Sequence, residues 1–239
     1  MKAPTTRLSP LRLANVIALT GCDGAGKSTL SEDLAAAFEA LGPVEWLYLG
    51  QSSGNIARWI QDLPLVGPPL GRYLVSKAKS SQSKNKTAPG VATTLVIYLL
   101  SQWRAHKFRR MLKLNRRGVI VITDRYPQAE VPGFHFDGPG LGAVTLESGF
   151  SRALARREQR LYEWMASHVP ALVIRLNIDA DTAHQRKPDH RISVLRDKVE
   201  IIPGLQFNGA QILDLSGSDP YPQVLESATN AARAACEND

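Results

Sequence analysis

The chain has 239 residues, 44% of them hydrophobic, enough apolar material for one sizeable core. Its net charge is +7 and its pI is near 9.6, a balance that suits a small polyanion. The basic residues are spread over several segments without RNP, zinc or KH signatures, so a nucleic acid polymer is not the expected partner.

Met1–Leu13 contains Pro4 and Pro10 and lacks the apolar centre of a signal peptide, so residues 1–13 are expected to be a flexible N-terminal segment. No apolar run approaches transmembrane length. Cys22 and Cys236 lack metal-ligand spacing, and free thiols in a cytoplasmic protein are expected.

Val16–Thr20 is an apolar run that predicts a buried strand, and Leu30, Leu34, Ala37, Phe38 and Leu41 recur at helical spacing up to Gly42-Pro43. Between them, Gly21-Cys22-Asp23-Gly24-Ala25-Gly26-Lys27-Ser28 satisfies the G-x-x-x-x-G-K-[ST] pattern of a phosphate-binding loop. Glycines let successive backbone N–H groups face phosphate oxygens, with the positive end of the next helix behind them. Gly21, Asp23, Gly24, Ala25, Gly26, Lys27, Ser28 and Thr29 are the expected nucleotide-binding residues. Lys27 would reach the β and γ phosphates, and the Ser28 hydroxyl would ligate Mg²⁺.

Val44–Leu49 predicts a second strand, followed by the polar loop Gly50–Gly54, where Gln51 could touch an acceptor. Ile56, Trp59, Ile60 and Leu63 suggest a short amphipathic helix, and residues 64–90 read as a mobile, basic surface loop. Val91–Arg117 predicts one long helix whose basic second half, Arg104 included, reads mostly as a solvated face. Val119–Asp124 then carries four apolar residues and an acid, a Walker-B-like strand bringing Asp124 to the metal and phosphate site, with Arg125 beside it to neutralise a phosphate.

The Gly/Pro-rich segment 127–149 is expected to line an acceptor pocket, with Asp137 as the candidate residue. A helix over Ser151–His168 is expected to turn Leu154, Leu161 and Met165 inward and Arg152, Arg156 and Arg160 to solvent. Ala171–Ile178 predicts a strand and Asp179–Gln185 a helix. Arg186-Lys187-Pro188-Asp189-His190-Arg191, with Arg196 and Lys198 beyond, predicts a mobile lid at about 186–200. Ala210–Leu215 and Tyr221–Ala235 complete a mainly parallel five-stranded α/β sheet covered on both faces.

These residues resemble the thymidylate kinase family of nucleoside monophosphate kinases. The resemblance rests on Gly21–Thr29, Leu99–Arg104, Thr123-Asp124-Arg125-Tyr126 and the position of Arg186–Arg196. It implies a three-layer P-loop kinase fold as one domain over 14–239, with ATP and Mg²⁺ as cofactors and a small-molecule acceptor as partner; a homodimer stays open. It also implies that Asp23 contacts an acceptor hydroxyl, Arg125 the acceptor phosphate and Arg104 the acceptor base. Because the phosphate loop has no arginine, Arg186, Lys187, Arg191 and Arg196 become the catalytic cations. Leu100 stands where the family has a stacking phenylalanine, and Leu49–Gly54 lacks the family's arginine; these departures fit a related kinase with another nucleotide, nucleoside or sugar as acceptor, with dTMP kinase itself as the alternative.

Overall fold

Strand β1 (Leu11–Gly21) forms the centre of the molecule in a computed structural model that describes residues 9–51 and 89–237. The other strands are β2 (Val44–Tyr48), β3 (Ile120–Asp124), β4 (His168–Asn177) and β5 (Ile212–Ser216). They pair in the order β2-β3-β1-β4-β5, every neighbour parallel. Parallel neighbours need crossover helices, which bury both faces of the sheet; that accounts for the unbroken apolar runs in β1 and β4.

Side chains alternate across a strand, so β1 feeds two cores. Ile17 and Leu19 pack with Leu30, Leu34 and Phe38 of α1 (Lys27–Phe38) and with Val224, Ala228 and Ala232 of α6 (Tyr221–Glu237). Val16 and Ala18 pack with Ala105, Phe108 and Met111 of α2 (Val91–Asn115) and with Tyr162 and Met165 of α3 (Gly149–Ala166). The result is the three-layer α/β architecture expected from the alternation of strands and helices. Two shorter helices, α4 (Ala180–Arg186) and α5 (Ile192–Ile201), follow β4. No helix among the described residues is long and apolar enough to cross a membrane.

The sequence boundaries shift where long-range pairing decides the conformation. Leu11–Leu13, assigned to the N-terminal segment, lie in β1 opposite His168, Val169 and Pro170. The same pairing makes His168 the first residue of β4 rather than the last of a helix, and the Leu11 amide donates to the Ser167 carbonyl at 2.7 Å. Of the 186–200 stretch expected as a lid, most is α5, anchored by the fully buried Leu195; the exposed turn is confined to its start. The helix expected over Ile56–Leu63 and nearly all of the basic loop lie outside the described residues. In α3, Leu154 and Met165 are buried while Arg152, Arg156 and Arg160 are exposed, as the helical spacing predicts.

Candidate functional site

The site lies where β1 and β3 end side by side. Leu19 is the register partner of Asp124, and the Arg125 amide donates to the Leu19 carbonyl at 3.2 Å. This pairing brings the loop leaving β1 and the acid–arginine step leaving β3 to the same edge of the sheet. Gly26, at the start of α1, has φ +93, a left-handed conformation that glycine adopts without steric penalty. Lys27 follows it, 6% exposed, and donates to the Cys22 carbonyl at 2.7 Å. Burial and the Arg125 charge lower the Lys27 pKa, against the opposing pull of Asp124 and Asp23. Ser28 and Thr29 are exposed in the first turn of α1.

Asp124 is 3% exposed, and burial raises its pKa although Lys27 and Arg125 oppose the shift. Its Oδ1 is buried without a hydrogen-bond partner among the described residues. A buried carboxylate oxygen with a free lone pair beside the glycine loop is a fitting ligand for a hard divalent cation, and Asp124 and Ser28 are side chains that could hold Mg²⁺.

Arg125 has φ +65, an unusual conformation for a side chain of its size. It forms an ion pair with Asp23, and its Nη1 lies 4.0 Å from Asp137 Oδ2. Arg104, 1% exposed, donates to Asp137 Oδ1 at 3.0 Å, to the Asp137 carbonyl at 3.2 Å and to the Arg125 carbonyl at 2.5 Å. Arg104 is thus not on the solvated face of α2; its two terminal nitrogens hold the β3 tip and the Asp137 turn together. Burial pushes the Asp23 carboxyl up, but Arg125 and Lys198 outweigh it and hold it well below the usual carboxylate range. Gly50 completes the wall, since a Cβ there would lie 2.3 Å from the Tyr48 ring and 2.7 Å from Arg125 Cδ.

Asp23, Lys27, Arg104, Asp124, Arg125 and Asp137 therefore converge as a group. Arg186, exposed on α4, reaches the backbone of the glycine loop, donating to the Gly24 carbonyl at 3.2 Å and to the Gly217 carbonyl at 3.0 Å. Lys187, Arg191 and Arg196 are exposed, and Leu100 is half-buried on α2 one turn before Arg104.

Gln128, Glu158 and Lys107 are not proposed as site residues from the sequence, and Lys198 reads there only as one cation of the lid. Gln51, read as a possible acceptor contact, has its amide nitrogen engaged within the protein. Lys198 of α5, 4% exposed, forms an ion pair with Asp23. Gln128, 1% exposed, shapes the Gly/Pro-rich segment: its amide donates to the Val131 and Phe136 carbonyls at 2.7 and 2.8 Å, and its Oε1 accepts from the Glu130 and Val131 amides. Glu158 is buried in the middle of the arginine-rich α3, accepting from Ser101 Oγ at 2.5 Å and from the Leu141 amide at 2.7 Å. Gln51 donates to Ser101 Oγ at 3.2 Å and to the Tyr162 hydroxyl at 2.9 Å, which ties the end of β2 to α2 and α3. Lys107 donates to the carbonyls of Tyr48 and Gly50; burial and the Arg104 charge lower its pKa to about 8, with Asp137 opposing.

No protein-family model matches the sequence. The chain is 53% identical over 220 residues to the uncharacterized ATP-binding protein YghS of Escherichia coli (strain K12), covering 92% of this chain and 93% of that one. It is 41% identical over 227 residues to the uncharacterized ATP-binding protein YghR of the same strain, covering 95% of this chain and 90% of that one.

Proposed function

The chain belongs to the family of the E. coli ATP-binding proteins YghS and YghR, and from that premise we propose that it is an ATP-dependent phosphotransferase. It moves the γ-phosphoryl group of Mg·ATP to a small acceptor, in the manner of thymidylate kinases. The observation that carries this reading is the juxtaposition of Lys27, on the phosphate loop, with Asp124-Arg125, at the tip of the adjacent parallel strand. A nucleotide binder needs only the loop. A guanidinium held beside it, between Asp23 and Asp137, adds a second anion-binding point where an acceptor would meet the terminal phosphate.

In this reading the loop amides and Lys27 grip the triphosphate, and Arg186 closes on the loop from α4. Arg125 orients the acceptor, and Arg104 and Asp137 keep Arg125 in place. Mg²⁺ held by Ser28 and Asp124 would offset the charge that spreads over the phosphate oxygens during transfer. Phosphoryl transfer depends mostly on positioning and electrostatics, so these side chains suffice without a covalent intermediate.

The test is ADP release from Mg·ATP with a panel of nucleoside monophosphates (dTMP among them), nucleosides and sugars. One acceptor class raising ADP release well above the acceptor-free rate is the expected result. A dTMP-dependent rate far above all others selects dTMP kinase itself. ADP release that no acceptor raises above background, despite Mg·ATP binding, overturns the phosphotransferase reading and leaves a nucleotide-binding switch or ATPase.

A further inference from the structure

The Asp23 carboxylate is shared by two cations that reach it from different elements. Arg125, at the tip of β3, donates to Oδ1, and Lys198, from α5, donates to Oδ2. His190 Nδ1 stands 3.7 Å from the same Oδ2. A lysine that is 4% exposed has given up most of its hydration, and an ion pair at such a site rarely improves stability over an apolar side chain. The arrangement of charge around Arg125 suggests what Lys198 does there.

Arg125 faces two carboxylates, Asp23 and Asp137. If both relied on it alone, its positive charge would be fully spent inside the protein. Each has a second cation instead: Arg104 on Asp137 and Lys198 on Asp23. We propose that Lys198 is a positioning residue that acts through Asp23. By taking one oxygen of that carboxylate, it leaves Arg125 with charge to offer the anionic group of an acceptor. The proposal rests on the phosphotransferase reading and assigns to α5 a residue that governs acceptor affinity rather than donor affinity.

The test uses the full chain saturated with Mg²⁺ and a non-hydrolysable ATP analogue, so that the phosphate loop is filled. Inorganic phosphate serves as the acceptor-side probe, measured by calorimetry. Lys198→Met is expected to weaken phosphate binding about tenfold while changing analogue affinity less than about threefold, and Lys198→Arg to restore phosphate binding to within about threefold of wild type. Asp23→Asn relieves Arg125 of one carboxylate and is expected to tighten phosphate binding several-fold. In that background Lys198→Met should cost no more than about twofold, because the residue it acts through has lost its charge.

An unchanged phosphate affinity in Lys198→Met, an equal loss for analogue and phosphate, or an undiminished loss in the Asp23→Asn background each overturns the proposal. If Lys198→Met does not fold, Asp23→Asn alone decides: weaker phosphate binding in that variant overturns it. A wild-type analogue complex that binds no phosphate overturns the acceptor-site reading itself, and the proposal with it.

Discussion

Replacing Arg104 by methionine isolates what the buried guanidinium does, because methionine keeps the apolar stem and removes the charge and the donors. Three bonds vanish: two to Asp137, at 3.0 and 3.2 Å, and one to the Arg125 carbonyl, at 2.5 Å. Removing one partner of a buried pair costs about 3–5 kcal/mol, chiefly through the charge left behind. Asp137 keeps Arg125 at 4.0 Å and is 16% exposed, so the low end applies. The expected loss is about 3 kcal/mol, or a fall in Tm of about 6–12 °C at about 2–4 °C per kcal/mol for a chain of this size. Urea unfolding followed by circular dichroism at neutral pH measures the first quantity and calorimetry the second. Asp137→Asn should also destabilise, and the double variant should lose at least about 1 kcal/mol less than the sum of the two singles. A loss below about 1 kcal/mol for Arg104→Met, or strict additivity, would refute the claim that Arg104 clamps the β3 tip.

Lys27→Met should reduce Mg·ATP turnover by at least about 100-fold. Its Tm should not fall, because burial already penalises the Lys27 charge; turnover near wild type would remove Lys27 from its role. Gly50→Ala places a Cβ 2.3 Å from the Tyr48 ring and 2.7 Å from Arg125 Cδ, and should cost about 1–3 kcal/mol of overpacking in urea unfolding. An unchanged midpoint would mean that the wall is looser than the geometry requires. Lys107 should titrate near pH 8 by carbon NMR of labelled lysines. Its folded pKa lies below its ordinary value of 10.5, so the unfolded chain holds more protons across about pH 8 to 10.5, and this group's contribution to stability rises with pH there. Lys107→Gln should flatten that rise, and a midpoint at the ordinary lysine value would contradict the burial argument.

The strand–glycine loop–helix unit and the β3 tip were legible as structure because each is local in sequence and a parallel sheet of this connectivity brings strand ends together without further information. What was not legible depended on distant packing. His168 reads as a helix end from its neighbours, yet becomes strand because Leu11 pairs with it across the sheet. Lys198 reads as one more cation in a basic run, although Leu195 stands three residues before it and helical spacing puts the two on one face. In α3, Leu154, Glu158, Tyr162 and Met165 form a row at spacings of four and three, and all are buried. That row was a signal that Glu158 lies inward, masked by the arginines around it. Asp137 carried no periodic signal: its place depends on φ +61 at that residue and on the bonds by which Gln128 folds the segment.

The conformation of Arg125 links these elements to the chemistry. A long side chain in the left-handed region carries a steric cost of order 1–3 kcal/mol, so something must hold it there. Both ends of the residue are held: its amide by the Leu19 carbonyl in the sheet, its carbonyl by the Arg104 guanidinium. In an extended residue the carbonyl would leave Arg104 and the guanidinium would leave the gap between Asp23 and Asp137 together. In the proposed phosphotransferase reading Arg104 therefore acts as a positioning residue, its terminal nitrogens being engaged by the protein itself. It fixes, through one carbonyl oxygen, the direction in which the neighbouring arginine points, and in the proposed transfer a misplacement of that arginine by about 1 Å would cost about 100-fold in rate.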